Sequence, residues 1–320
     1  MKAPHYLLTW RYRRDVALVL TTAMLCLGAV PTTMAQDAPE GSEAAGGVQE
    51  GAKTGTDPRD FAPKFMPYYR YTELKNGLEQ NDVTLFGLYA FTPKFAMTYE
   101  IPLVSDRDVR DTALRDPDTG LCGGVLPGGG SPLLPNGLPA EGDCQETGVG
   151  DMNLRFMYRT NWNALGADWI IGAQFDFPTA TNEVLGTETF KVAPLIAPIW
   201  DLKFWPGPGA FAALMNFYFT DVFKDNGRED VSMYVGRWFI MLPLRAPGPG
   251  LFDGLYLLPE IQPIYDFENS EFSLWAAPEF GKILAPGVIA YAKPGFGVNP
   301  DSNSGERDFT FEFGFRYFMK

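Results

Sequence analysis

The segment near the end of the chain constrains the fold most. Phe309, Phe311, Phe313, Phe315 and Tyr317 occupy every second position, with Thr310, Glu312, Gly314 and Arg316 between them. Period-two alternation marks a β-strand with two unlike faces. In water, a face of five aromatics demands a partner sheet to cover it. In lipid it demands none, and the polar face then turns into the lumen of a closed barrel.

The same split recurs upstream. Phe95, Met97, Tyr99, Ile101 and Leu103 alternate with Lys94, Ala96, Thr98 and Glu100. Met152, Leu154, Phe156 and Tyr158 alternate with Asn153, Arg155, Met157 and Arg159. Trp169, Ile171, Ala173, Phe175 and Phe177 alternate with Gly172, Gln174 and Asp176, and Phe272, Leu274, Ala276 and Phe280 with Ser273, Trp275, Ala277 and Glu279. Each stretch has the length a tilted membrane strand requires. The pattern predicts an all-β fold, a transmembrane antiparallel up-and-down barrel of about twelve strands. They fall at 66–75, 81–91, 94–104, 150–160, 167–178, 188–203, 210–223, 229–242, 254–267, 270–281, 286–297 and 307–319.

Connection lengths agree with that count. If the chain enters from the periplasm, the outward loops are 105–149, 179–186, 224–228 and 299–306, and the first is much the longest. The inward turns are short and rich in Pro and Gly, as at 206–209, 246–250 and 285–287. Long loops outside and short turns inside are the outer-membrane arrangement. Trp162, Trp169, Trp200 and Trp205 stand beside inward turns, where an interfacial girdle would lie.

Two features fit poorly. Pro102, Pro194, Pro198, Pro259, Pro263, Pro278 and Pro294 fall inside strands, where proline cannot donate to the ladder. Bulges there would allow a solute to leave sideways through the wall. Arg237 also sits on an otherwise apolar face with Met233, Val235 and Phe239, opposite Tyr234, Trp238 and Ile240.

The first 35 residues read as a signal peptide: Lys2, Arg11, Arg13 and Arg14 precede the apolar run 16–30, and cleavage is expected after Ala35. Residues 36–64 are rich in Ala, Gly, Glu, Asp and Pro without apolar periodicity, and read as a disordered periplasmic segment. The barrel then occupies 65–320, in the outer membrane, with lipid and lipopolysaccharide as surroundings.

The whole chain has 26 Lys/Arg and 39 Asp/Glu; removing residues 1–35 takes four bases and one acid, leaving 22 and 38, a net charge of −16. That balance argues against nucleic acid. The single histidine, His5, leaves with the signal. Histidine-dependent triads and zinc sites are then out of reach. No catalytic residue, metal or cofactor is expected. Cys122 and Cys144 remain, and export to an oxidising compartment reads them as a disulfide tying the long outer loop. Such a loop closure contributes roughly 3 kcal/mol.

The projected lumen carries Lys94, Glu100, Asn153, Arg155, Arg159, Gln174, Asp176, Lys191, Asn216, Glu260, Gln262, Asp266, Glu279, Lys293, Glu312 and Arg316. Mixed charge suits either a hydrated solute path or a salt-bridged plug. Asp116–Gly120 and Asp301–Glu306 only loosely resemble calcium loops and read as solvated turns.

Gly148-Val149-Gly150-Asp151, continuing to Arg159, resembles the strand opening of an outer-membrane family named after the meta-pathway of phenol degradation. Phe177-Pro178-Thr179-Ala180 with Gly186-Thr187 resembles that family's Pro-Thr-Gly loop, with Ala180 in place of the glycine. With the aromatic final strand, the resemblance covers roughly 145–320. It implies a transporter-like barrel for aromatic or other hydrophobic compounds. The competing expectation is a structural or surface-interaction barrel with a plugged lumen.

Overall fold

The computed structural model describes residues 55–74, 79–108, 145–182, 185–224, 230–298 and 307–319. Fifteen antiparallel segments form one sheet. They are β1 (Lys64–Leu74), β2 (Glu79–Thr92), β3 (Phe95–Asp108), β4 (Gln145–Gly148), β5 (Met152–Arg159), β6 (Asp168–Phe177), β7 (Thr189–Asp201) and β8 (Phe211–Lys224). They continue with β9 (Ser232–Pro243), β10 (Leu255–Leu258), β11 (Glu260–Asp266), β12 (Glu271–Ala276), β13 (Glu279–Ala285), β14 (Val288–Gly297) and β15 (Arg307–Phe318). Three pairs, β4 with β5, β10 with β11 and β12 with β13, are single staves broken by a few residues. The wall therefore has twelve staves, and β15 pairs with β1 to close it. The expected closed, twelve-stranded antiparallel barrel is the observed one.

The alternating faces explain the closure. On β15, Phe311, Phe313 and Tyr317 are exposed while Thr310 and Arg316 are buried. Outward rings touch from stave to stave: Phe91 on Phe95, Phe95 on Phe156, Phe156 on Phe175, Phe175 on Phe190 and Phe190 on Phe223. An exposed apolar exterior of this extent requires lipid. At the short-turn end, Trp169 and Trp200 donate their indole N–H to the carbonyls of Ala164 and Leu165, and Trp205 donates to Pro243. Such wet-tipped rings suit the membrane boundary.

The prolines sit where the ladder is interrupted. Pro102 adjoins a register shift between β2 and β3. Pro194 and Pro198 pair toward β6 but fall in gaps on the β8 side. The register of Ala276↔Phe296 and Phe280↔Ala292 places Pro278 opposite Pro294, and no pair forms between those two. Neither has an N–H to give, so the β12/β13 and β14 staves are unladdered there.

The family-like motif has a structural role. Asp151 accepts from Ala180 N at 3.0 Å, from Thr187 N at 2.6 Å and from Thr187 Oγ1 at 3.0 Å. Gly186 must lack a side chain, since a Cβ there would stand 2.6 Å from Asp151 Oδ1. The two motifs thus clamp one outer loop onto β5. Asp151→Ala is expected to cost about 1–3 kcal/mol by orphaning these donors and to speed amide exchange at Ala180 and Thr187; unchanged exchange would contradict the clamp.

The last residues of the segment read as disordered are ordered. Gly55–Pro63 lie against the short-turn mouth, with Phe61 only 6% exposed among inward-facing apolar side chains. Arg59 reaches Asp57, Asp168 and Asp201 at 2.8, 3.0 and 2.7 Å. Burial opposes its charge, but Asp57 and Asp201 outweigh it and hold the guanidinium above its ordinary pKa. Composition hid this because two of the three partners, Asp168 and Asp201, come from β6 and β7. Residues 1–54, Cys122, Cys144 and the loops 116–120 and 301–306 lie outside the described residues, so the signal peptide, the disulfide and the calcium-like turns do too.

Candidate functional site: an amphipathic cavity in the lumen

Inward side chains divide the lumen into two sectors. The apolar sector comes from β2, β5, β7, β8 and β9: Leu88, Met157, Leu195, Met215, Phe217 and Phe239 are all buried. Below it, toward the short-turn end, Ile170, Ile199, Phe211 and Met241 fill the barrel together with Phe61. The polar sector comes from β1, β3, β10, β11, β13, β14 and β15, with Arg237 from β9. Between them lies a cavity of about 480 Å³.

Three ionic clusters build the polar wall. Glu260, on β11, accepts from Arg237 Nε and Nη2 at 2.7 and 3.0 Å, from Lys293 at 2.7 Å and from Gln262 at 2.6 Å. Lys293 belongs to β14, so this tie passes inside the unladdered stretch at Pro278. Glu279 takes a two-pronged contact from Arg316 at 2.7 and 2.6 Å and a hydrogen bond from Tyr256 at 2.7 Å. Arg316 also lies 4.3 Å from the centre of the Tyr291 ring. Glu312 accepts from Arg70 at 2.8 Å and from Tyr291 at 2.9 Å, and Tyr68 donates to Glu100.

A fourth group is weaker. Arg155 donates Nε and Nη2 to Gln174 Oε1 at 3.0 and 2.6 Å, Gln174 donates to Asp176 at 2.7 Å, and Lys191 stands 3.9 Å from Asp176. Among the described residues, no carboxylate oxygen lies within 4.0 Å of Arg155 or of Arg307, which stacks 5.0 Å from the Trp275 ring. The cavity lining holds seven Lys/Arg and five Asp/Glu. Its surplus of cations runs against the net charge of −13 on the whole chain.

Of the expected lumen residues, Glu100, Arg155, Gln174, Glu260, Gln262, Glu279, Lys293, Glu312 and Arg316 line this cavity. Asp176 and Lys191 pair on the inner face beyond it, and Asn153 donates to Glu100. Arg159 sits at the short-turn rim, 3.5 Å from Asp168.

Three placements need correction. Lys94 lies in the exposed turn before β3, bonded to Asn161, because β3 starts one residue later than the alternation suggests. Asn216 faces outward: its Oδ1 accepts from Tyr234 and Trp238, and its Nδ2 donates to Leu214 O. A single amide satisfied by its neighbours needs no lumen. Asp266 caps an outer turn by accepting from Glu268 N and Asn269 N.

Arg237, the misfit of the sequence, faces inward with Val235 and Phe239, and Glu260 is its partner. Tyr68, Arg70, Tyr256, Tyr291 and Arg307 also belong to the polar wall and were not anticipated. β1 gave little signal, since Tyr68 and Arg70 alternate with Tyr69 and Tyr71 and both faces look alike.

No family model matches the chain, and no curated protein matches it. Among solved structures, the COG4313 outer membrane channel from Pseudomonas putida F1 aligns with a TM-score of 0.56 at 12% identity, over 82% of this chain and 100% of that one. The chain has an outer-membrane barrel fold. The NanC porin aligns more loosely, with a TM-score of 0.49 at 6% identity, over 81% of this chain and all of that one. The KdgM porin follows at 0.45 and 8%, over 80% of this chain and 99% of that one.

Proposed function

We propose that this barrel sits in the outer membrane and passes small hydrophobic or aromatic solutes, without chemistry. The cavity carries the reading. An apolar sector of Met157, Met215, Phe217 and Phe239 faces a wall of paired charges across about 480 Å³. A general pore for hydrophilic solutes has no use for such a sector, and a fully plugged scaffold has no use for such a space. The resemblance to the phenol-pathway family supports hydrophobic solutes, and the similar fold of the COG4313 outer membrane channel supports passage alone. The unladdered stretch at Pro278 and Pro294 supports a sideways exit into the lipid.

One observation favours the plugged scaffold: Phe61 and its apolar neighbours fill the short-turn end. Two measurements separate the readings. Cells lacking the protein are expected to lose uptake of hydrophobic aromatic compounds and to keep uptake of sugars. In planar bilayers, Phe61→Ala combined with Arg59→Ala is expected to raise single-channel conductance above the parent's. Unchanged uptake across the panel, with no current from either protein, would leave the scaffold reading standing.

A further inference from the structure

The transport reading leaves two cations of the lining without a carboxylate partner among the described residues, Arg155 and Arg307, and of these Arg155 faces the apolar sector. Each lumen carboxylate beside the cavity has its own partner: Glu260 has Arg237 and Lys293, Glu279 has Arg316, and Glu312 has Arg70. Glu100 is held by Tyr68, with Arg70 at 3.9 Å. Arg155 has only the neutral oxygen of Gln174, which engages its Nε and Nη2. Its Nη1 makes no hydrogen bond among the described residues. Glu100 and Asp176 attract it and Arg237 repels it, all from farther away.

The surroundings of Arg155 are unusual for a lone cation. Its guanidinium lies 4.9 Å from the centre of the Phe217 ring, and Met157 and Met215 share the cavity lining with it. Arg155 is half-buried and lines the cavity, so its unused donors stand where an anion can reach them. Its planar fork matches a carboxylate better than any neutral acceptor. Methionines beside it adapt to apolar bodies of varied shape.

Resting on the transport reading, we propose that the cavity selects small apolar molecules bearing a single carboxylate. Arg155 holds the carboxylate, and the Met157, Met215 and Phe217 sector holds the body. A second carboxylate on the solute would fall against that apolar sector, so dianions are disfavoured. The cation surplus of the lining, to which Arg307 contributes, draws the anion in.

The test compares 4-phenylbutyrate with its neutral amide, 4-phenylbutyramide, by titration calorimetry on the full barrel in zwitterionic lipid nanodiscs. The acid is expected to bind at least tenfold more tightly, about the worth of a charged hydrogen bond. Arg155→Gln is expected to erase the difference while keeping the amide's affinity, and Arg155→Lys to restore part of it. Equal affinities in the parent protein, or a preference that survives in Arg155→Gln, would overturn the assignment. The parent protein's acid-to-amide ratio tests the carboxylate preference of the cavity without any variant, and Arg155→Lys, which keeps the charge, tests the assignment to Arg155 if Arg155→Gln fails to fold. If the amide binds and crosses proteoliposomes as well as the acid, passage of hydrophobic solutes stands and the carboxylate preference falls. If neither binds nor crosses, both fall.

Discussion

Glu260→Ala is expected to destabilise the folded barrel by about 3–5 kcal/mol, the cost of leaving buried charge without its partner. The side chain is only 1% exposed, and among the described residues it is the only carboxylate within 4.0 Å of Arg237 and of Lys293. Its removal leaves two cations facing each other inside the barrel. The effect reaches beyond one contact, because Lys293 crosses from β14 to β11 behind the stretch where Pro278 and Pro294 prevent laddering. The wall should therefore loosen there first, with amide exchange rising at Ala276 and Phe280 before the rest of the barrel opens. Equilibrium denaturation in phospholipid vesicles measures the loss. Replacing Glu260, Arg237 and Lys293 together with methionine should recover most of it, since buried ion clusters are often replaceable by apolar side chains. A loss under about 1 kcal/mol for Glu260→Ala would mean that water reaches the cluster freely.

Phe313→Arg is the second large effect. Phe313 is the seventh of twelve residues in β15, pairs with Tyr69 and Ala292, and points outward. A charge there lies near the middle of the hydrocarbon and should cost about 2–4 kcal/mol, before counting the lost ring contact with Tyr69. The same substitution at Phe309, near the end of the strand, should cost only about 0–1 kcal/mol from the charge. Depth dependence separates a lipid-facing wall from an ordinary apolar interface. Equal penalties at the two positions would argue for protein, not lipid, against this face.

Both effects trace to features of different legibility. β3, β5, β6, β12 and β15 were readable because their two faces differ in chemistry: Phe against Thr, Glu or Arg leaves one way to turn the strand. β8 and β9 were harder. Both their faces are apolar, so Asn216 looked like a lumen residue and Arg237 like an error. Each is settled by a partner from another stave, Trp238 and Glu260, and pairing across staves is not written in local order. Lys94 shows how little separates the faces, since ending a turn one residue later moves a side chain from the lumen to solvent. The ordering of Gly55–Pro63 left no periodic mark, because it depends on one aromatic and one arginine meeting sites more than a hundred residues away. The candidate site was therefore legible as a set of inward charges, while the division into spent pairs and an unspent Arg155 required the assembled barrel.

Site-directed spin labelling along β15 tests the central claim most directly. Single cysteines at positions 309–317, in a chain whose native cysteines are replaced, would be labelled in phospholipid vesicles and probed with oxygen and with a water-soluble nickel chelate. Labels at 309, 311, 313, 315 and 317 should collide with oxygen and be shielded from nickel. Those at 310, 312, 314 and 316 should be shielded from oxygen. Nickel access to the odd positions, or no alternation at all, would contradict a wall with hydrocarbon on one side and a polar interior on the other.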